Sequence, residues 1–481
     1  MILTKLLAMK LNNLIKRTFL MAMVATAATA CEEEVNIGNV QAPDITGASD
    51  MMLYVSDADG STAYPKVEFR GAGSCDIYVN ATKAMAADAS VQFVYDAEVL
   101  AEYNKVNNTK FMAIAPENVA FANEGVTTVV AGELKSAPMT MTITSDGKLD
   151  SETTYVIPLK VMSLNGVELA KSAQSRLVFV RDLSNLQDCF KTVLNENGEE
   201  VPGVKIFSCM EVNDTNPLNN LRYSLKNSGK YMIDALIIFS GNINYDEVNA
   251  RVYFNANPNV QHLLDNREKY LKPLQDRGMK VIMGVLCNHD RACISNLNDE
   301  TARLFAKEMK SLCDAYNLDG VFYDDEYCSP MSPAPPGFTD RSRKQVSRLI
   351  YEIWKLQPER WNVAYCYSMT YGLEEVDGVQ AGVYCQYALH DYGGSADLST
   401  YFPGMPKSNM GLYSQEFSMG RFASENNLRS MRKNGYGSHM VFAMDPNRSN
   451  ASRQDDAMGN CARAFYDDEM VINEPIYKKD W

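Results

Sequence analysis

Three consecutive carboxylates, Asp324, Asp325 and Glu326, close a short apolar run that reads LDGVFYDDEY over residues 318–327. On an extended strand side chains alternate between faces, so Asp324 and Glu326 point one way and Asp325 the other. Two carboxylates on one face beside aromatics suit general acid–base work, because mixed apolar and acidic surroundings drive two pKa values apart. A helical pattern ending LCDAYN precedes the run, and a Pro-rich stretch, SPMSPAPPGF, follows it. That order sets the acids at the C-terminal end of a strand between helices, where barrel enzymes keep their reactive groups. The competing readings are a solvated acidic strand end and a cation site.

The 481 residues are too many for one ordinary domain and comfortable for two, and a hydrophobic content of 46% supplies real cores. A formal net charge of −14 repels polyanions, which excludes nucleic acid as a partner. The four histidines are scattered, with no HExxH and no CxxC, so neither a metal nor a cofactor is expected. Of eleven cysteines, Cys209, Cys287, Cys366 and Cys385 fall in strand-like runs, where Cys acts as a small buried apolar residue.

Residues 1–30 carry Lys5, Lys10, Lys16 and Arg17, then an apolar and small-residue run, the layout of a signal peptide. The run is too short to span a bilayer. Ala28-Thr29-Ala30-Cys31 resembles a bacterial lipobox, which implies lipidation at Cys31 and a lipid-anchored tether over 31–50; ordinary cleavage at A-x-A is the alternative. The Glu32 to Glu34 run resembles a surface-export signal of lipoproteins in glycan-degrading Gram-negative bacteria. Together these imply a cell-surface protein on the outer membrane, with neighbouring glycan-uptake proteins as partners.

Residues 51–182 alternate with period two, as in Val91, Phe93 and Tyr95 or Met139, Met141 and Ile143, which predicts an antiparallel β-sandwich with one helix over 97–107. Parts of it resemble the N-terminal sandwich of surface lipoproteins in glycan-utilising bacteria, and the expected role is accessory. Residues 183–203, polar and carrying NENGEE, are expected to be a linker. From 204 to 481 apolar strands alternate with helical patterns, and eight strands over that length predict a (β/α)8 barrel. The sixth strand is placed at 381–387, the seventh at 410–414 and the eighth at 438–444.

The segments MEVNDTNPLNN, IIFSGNINYD, KVIMGVLCNHD and LDGVFYDDEY resemble, in order and spacing, the first four strands of family 18 glycoside hydrolases, and most of all bacterial endo-β-N-acetylglucosaminidases that act on N-linked glycans. The family signature D-G-x-D-x-D-x-E is met at Asp319, Gly320, Asp324 and Glu326, with Phe322 where the family usually has Asp. The resemblance implies substrate-assisted, retaining hydrolysis, one of the exceptions to the two-carboxylate scheme. Glu326 would be the acid and base, Asp324 would hold the acetamido N–H, and a sixth-strand tyrosine, Tyr387 or failing it Gln386, would orient the acetamide. Asn213, Asn244, Asn288 and Tyr392 are the candidate substrate-binding residues, and high-mannose chains the expected glycans. Chitinases of the family tend to carry Trp in the eighth strand, and GSHMVFAMD has none. A non-catalytic glycan-binding barrel is the other alternative.

Overall fold

A computed structural model describes residues 51–481; the expected signal peptide, Cys31 and the expected tether lie outside the described residues. The chain divides into two compact units, with the boundary between Asn185 and Leu186.

The first unit is built of two sheets. One orders Leu53–Ser56, Ala72–Ala81, Met139–Thr144 and Val119–Phe121; the other orders Lys66–Phe69, Ser175–Asp182, Tyr155–Ser163, Ala89–Tyr95 and Val126–Val129. Alternate residues from both, among them Ile77, Met141, Val91 and Ile157, fill one shared core, which makes the unit a sandwich. Its pairings are antiparallel except that Lys66–Phe69 runs parallel to Ser175–Asp182 and Met112–Ala113 parallel to Tyr155–Ser163. The helix Ala97–Asn107 starts where the Asp96 carboxylate accepts the Glu98 N–H and stops at left-handed Asn108.

The second unit is a closed parallel barrel. Its strands are β1 (Lys205–Glu211), β2 (Ile233–Asp246), β3 (Lys280–Cys287), β4 (Gly320–Asp324), β5 (Trp361–Cys366), β6 (Tyr387–His390), β7 (Met410–Gly411 with Gln415–Glu416) and β8 (Ser438–Phe442). Closure comes from β1 pairing with β8, Lys205 opposite Ser438 through Cys209 opposite Phe442. Inward side chains such as Phe207, Ile237, Ile282, Phe322, Val363 and Met440 fill the interior, so the barrel is packed and not a pore. Outside it lie α1 (Pro258–Asp265), α2 (Asp299–Tyr316), α3 (Arg343–Leu356), α4 (Glu425–Lys433) and α5 (Ala451–Tyr466). Caps set their starts: Asn298 accepts from Thr301 N at α2 and Ser342 from Gln345 N at α3.

Three expectations need correction. The 183–203 segment is no plain linker: Thr192–Leu194 and Glu200–Pro202 form a hairpin, and Lys191 is buried in an ion pair with Asp234 at 2.8 Å. Buried pairing of that kind binds the segment to the barrel. The sixth strand does not occupy 381–387. Ala381–Tyr384 is a helical turn, and the strand begins at Tyr387. A short apolar run does not by itself say whether it is strand or helix, which is how the strand came to be placed six residues early. The seventh strand is split, with Tyr413 at φ 54° between its two pieces.

Candidate active site

The signature starts at the base of β4. Asp319 is held there by Lys280 at 2.9 Å, by the Val281 N–H and by Gln275, a positioning role remote from the strand's other end. Gly320 is demanded by close packing: an added Cβ would sit 2.2 Å from the Trp361 carbonyl oxygen on β5. Between them these residues set the strand whose last residue is Asp324.

Asp324 is 4% exposed, and its Oδ1 is buried with no hydrogen-bond partner. Burial pushes its carboxyl well above the usual carboxylate range; the charges of Glu326, Asp325 and Asp391 push the same way, and the Glu326 backbone N–H opposes them. Glu326 is partly exposed, and its carboxyl is raised by desolvation and then by Asp391. Asp325 faces away, as alternation requires, and is fully engaged: it accepts from Ser295 Oγ at 2.7 Å, Arg341 Nη2 at 2.5 Å and Met369 N at 3.1 Å. The three acids therefore divide into two that face the site and one that anchors loops.

Phe322 lies on the same face, inside the barrel, 6.4 Å from the Phe239 ring and 6.1 Å from that of Tyr365. It makes an apolar floor on the Asp324 side, where a carboxylate in its place would have added a third like charge. Tyr365 on β5 donates its hydroxyl to Asp391 Oδ1, which also accepts the Tyr392 N–H at 2.6 Å. Tyr392 packs between Tyr365, at 6.0 Å, and Phe442 of β8, at 5.9 Å. Its hydroxyl is pushed up by burial, with Cys209, Asp324, Glu416 and Glu326 adding in that order.

Tyr387 is not in this group. It opens β6 opposite Val363 and packs against Trp361 at 4.7 Å and Phe207 at 5.1 Å, in the lower core of the barrel. Burial pushes its hydroxyl up to about 12, and the charge that adds to this is Asp234, not Asp324. Gln386 is with it, its Oε1 accepting the Asn362 N–H and its Nε2 donating to the Val383 carbonyl. Both were misplaced by the early strand assignment, since a residue meant to end a strand in fact begins it. The tyrosine beside the two acids is Tyr392. Sequence reasoning missed Tyr365 and Asp391 as site residues; the HDY triplet that begins at the last residue of β6 was the available signal.

The asparagines divide. Asn213, exposed after β1, donates to Glu211 and accepts from Asn259, both at 2.7 Å. Asn216 caps the turn at Pro217–Leu221 and donates to the Lys478 carbonyl, a turn-forming role. Asn244 donates to Asp290 at 3.0 Å while its Oδ1 is buried without a partner, and Asn288 is exposed just beyond β3. Tyr327, 54% exposed, and Tyr367, 41% exposed, present aromatic surface at the ends of β4 and β5. Carboxylates ringed by aromatics and amides can protonate a glycosidic oxygen, steady a nearby cation and stack on sugar rings.

Comparison with known proteins agrees with that chemistry. A family model described as an N-terminal domain matches residues 49–168. Endo-β-N-acetylglucosaminidase F1 of Elizabethkingia meningoseptica is 53% identical over 286 residues, 59% of this chain and 84% of that protein. Crystal structures of EndoBT-3987 of Bacteroides thetaiotamicron, one with a Man5GlcNAc product and one with a Man9GlcNAc2Asn substrate, are 32% and 31% identical. Each comparison covers 89% of this chain and 97% of the other with a TM-score of 0.57. At that identity over most of the relative's length, and with two site-facing acids at the end of a barrel strand, the chain belongs to the endo-β-N-acetylglucosaminidases, glycoside hydrolases that act on N-glycans.

Proposed function

We propose that this enzyme cuts between the two core GlcNAc residues of high-mannose N-glycans, with retention and with the substrate's own 2-acetamido group as nucleophile. The observation that carries the reading is the β4 pair: buried Asp324 with a free carboxylate oxygen, and partly exposed Glu326 on the same face. Glu326, whose hold on its proton is strengthened by desolvation and by Asp391, gives that proton to the departing glycosidic oxygen as the acetamide carbonyl oxygen bonds to the anomeric carbon. Asp324 accepts the acetamide N–H. A carboxylate disfavoured by burial is relieved when positive charge develops beside it, so its help is greatest in the transition state. Glu326, now a carboxylate, takes a proton from the water that opens the oxazolinium ring. The Tyr392 hydroxyl, which feels the charge of both acids, is the donor that would orient the acetamide carbonyl.

The high-mannose preference is supported by the Man9GlcNAc2Asn-bound relative, which resembles this chain over nearly its whole length. Glu326→Gln should lower hydrolysis by about 10² to 10⁴ while leaving glycan binding nearly unchanged. Near-normal turnover would overturn the assignment. High-mannose glycoproteins should be released with a single reducing-end GlcNAc, read by mass spectrometry, and sialylated biantennary chains far more slowly.

The proposal includes a place for the reaction: the outer surface of the outer membrane, through a lipid on Cys31, beside uptake proteins that would take the released glycan. Its support is the charged, apolar and Cys31 order of the first 31 residues. Cys31→Ser should move the protein from the detergent phase to the aqueous one.

A further inference from the structure

Beside the acids, on the face that Asp325 occupies, three cysteines converge. Cys287 ends β3, Cys293 lies in the loop after it, and Cys328 follows Glu326 by two residues. Their Sγ atoms all lie within 4.8 Å of one another, the only such group of metal-ligand side chains among the described residues. Cys328 Sγ is 3.2 Å from Cys287 Sγ and 3.3 Å from Asp325 Oδ1. Sequence spacing hid the cluster, because Cys293 and Cys328 lie 35 positions apart and no CxxC is present.

We propose that Cys287, Cys293 and Cys328 form a binding site for a thiophilic divalent cation of the zinc class, with water as the fourth donor and the Asp325 carboxylate beside it at 3.3 Å from Cys328 Sγ. Tetrahedral zinc with sulfur at about 2.3 Å places its sulfurs about 3.8 Å apart, a spacing that thiols already within 4.8 Å reach by side-chain adjustment alone. Cys287 and Cys293 are fully buried and Cys328 is half-buried, which gives a rigid base and one side of entry. The outer shell is in place too. Ser295 Oγ donates to Asp325 Oδ1 at 2.7 Å, and Arg341, 2.5 Å from Asp325 Oδ2, donates to Ser295 at 3.1 Å and Ser368 at 2.9 Å. Three thiolates and the Asp325 carboxylate bring four negative charges, the ion two positive and Arg341 a third, which leaves the cluster at a net charge of only −1. On binding, three thiol protons go to solvent and no electron moves. The ion would join the loops that follow β3 and β4, the second of which carries Glu326.

Ordinary buried thiols need none of this, and a disulfide between Cys287 and Cys328 is the rival chemistry. The full chain, purified under a phosphine reductant and stripped with chelator, is titrated with Co²⁺ and then Zn²⁺. One equivalent should bind with tetrahedral d–d absorption and thiolate-to-metal charge transfer, be displaced by Zn²⁺, and raise the thermal unfolding midpoint. Cys293→Ser and Cys328→Ala, each checked for a native circular dichroism spectrum, should weaken binding more than about 100-fold. The spectrum of the unaltered protein needs no variant and stands if either fails to fold. Octahedral Co²⁺ absorption, binding unchanged in both variants, or a Cys287–Cys328 disulfide found by peptide mapping without reductant would each overturn the site.

Discussion

Asp324 keeps a buried carboxylate oxygen with no hydrogen-bond partner, an arrangement that costs stability. A buried carboxylate oxygen without a partner costs about 1 to 3 kcal/mol, a cost that the acetamide N–H of a bound sugar would offset. This gives a residue-scale prediction: Asp324→Asn should be crippled on the natural glycan yet still use a preformed sugar oxazoline as donor, since that substrate has passed the step Asp324 assists. Equal loss on both substrates, measured as kcat/KM, would assign Asp324 some other role. A second prediction separates the tyrosines. Tyr392→Phe should lower kcat at least about tenfold with KM less affected, because its hydroxyl lies among the acids. Tyr387→Phe, whose ring packs on Trp361 and Phe207, should keep near-normal kcat.

At the scale of elements, β4 is held by a contact and β8 by a neutral base. Gly320→Ala would drive a methyl group to 2.2 Å from the Trp361 carbonyl oxygen, forcing β4 from β5 and displacing Asp324. A loss of about 3 kcal/mol or more is expected in chemical denaturation, with activity falling alongside it. His439 on β8 is fully buried; its Nδ1 lies 3.2 Å from the Leu412 carbonyl and its Nε2 2.9 Å from Gln415 Nε2. Desolvation lowers its pKa to about 4. The unfolded chain, with an ordinary histidine near 6.5, therefore binds the proton more readily than the folded one. Stability from this residue is complete above pH ~6.5 and is lost as pH falls toward 4, by about 3 kcal/mol in all. His439→Asn should flatten that part of the curve of unfolding free energy against pH.

Over the whole molecule, the two units keep separate cores: the sandwich clusters end at Val180 and the barrel clusters begin at Cys189. Each site residue lies in the second unit, and the 286-residue match to the Elizabethkingia enzyme covers 84% of that protein. Residues 186–481 alone should therefore fold and keep kcat/KM on a soluble glycopeptide within about tenfold of the full chain. Loss of folding in that fragment would show that the sandwich supports the barrel. The net charge of −14 adds a constraint on substrates, since anionic, sialylated glycans meet a repulsive field as they approach.

The sequence alone determined what local pattern can determine. Period two put Asp324 and Glu326 on one face and Asp325 on the other, because alternation is a property of any extended strand. Alternating strand and helix patterns specified a barrel, and period-two runs before them a sandwich, because burial of one stripe or one face is written in the spacing of apolar residues. Only tertiary structure decided which side chains from different strands meet. The start of β6 at Tyr387 is set by pairing with Val363, not by its own residues, and that shift of a few positions exchanged Tyr387 for Tyr392 beside the acids. Tyr365 and Asp391, 26 residues apart, and Cys287, Cys293 and Cys328 are likewise joined by the pairing of neighbouring strands, β5 with β6 and β3 with β4. Contacts across strands depend on register and on where each strand ends, and neither is encoded within a single strand.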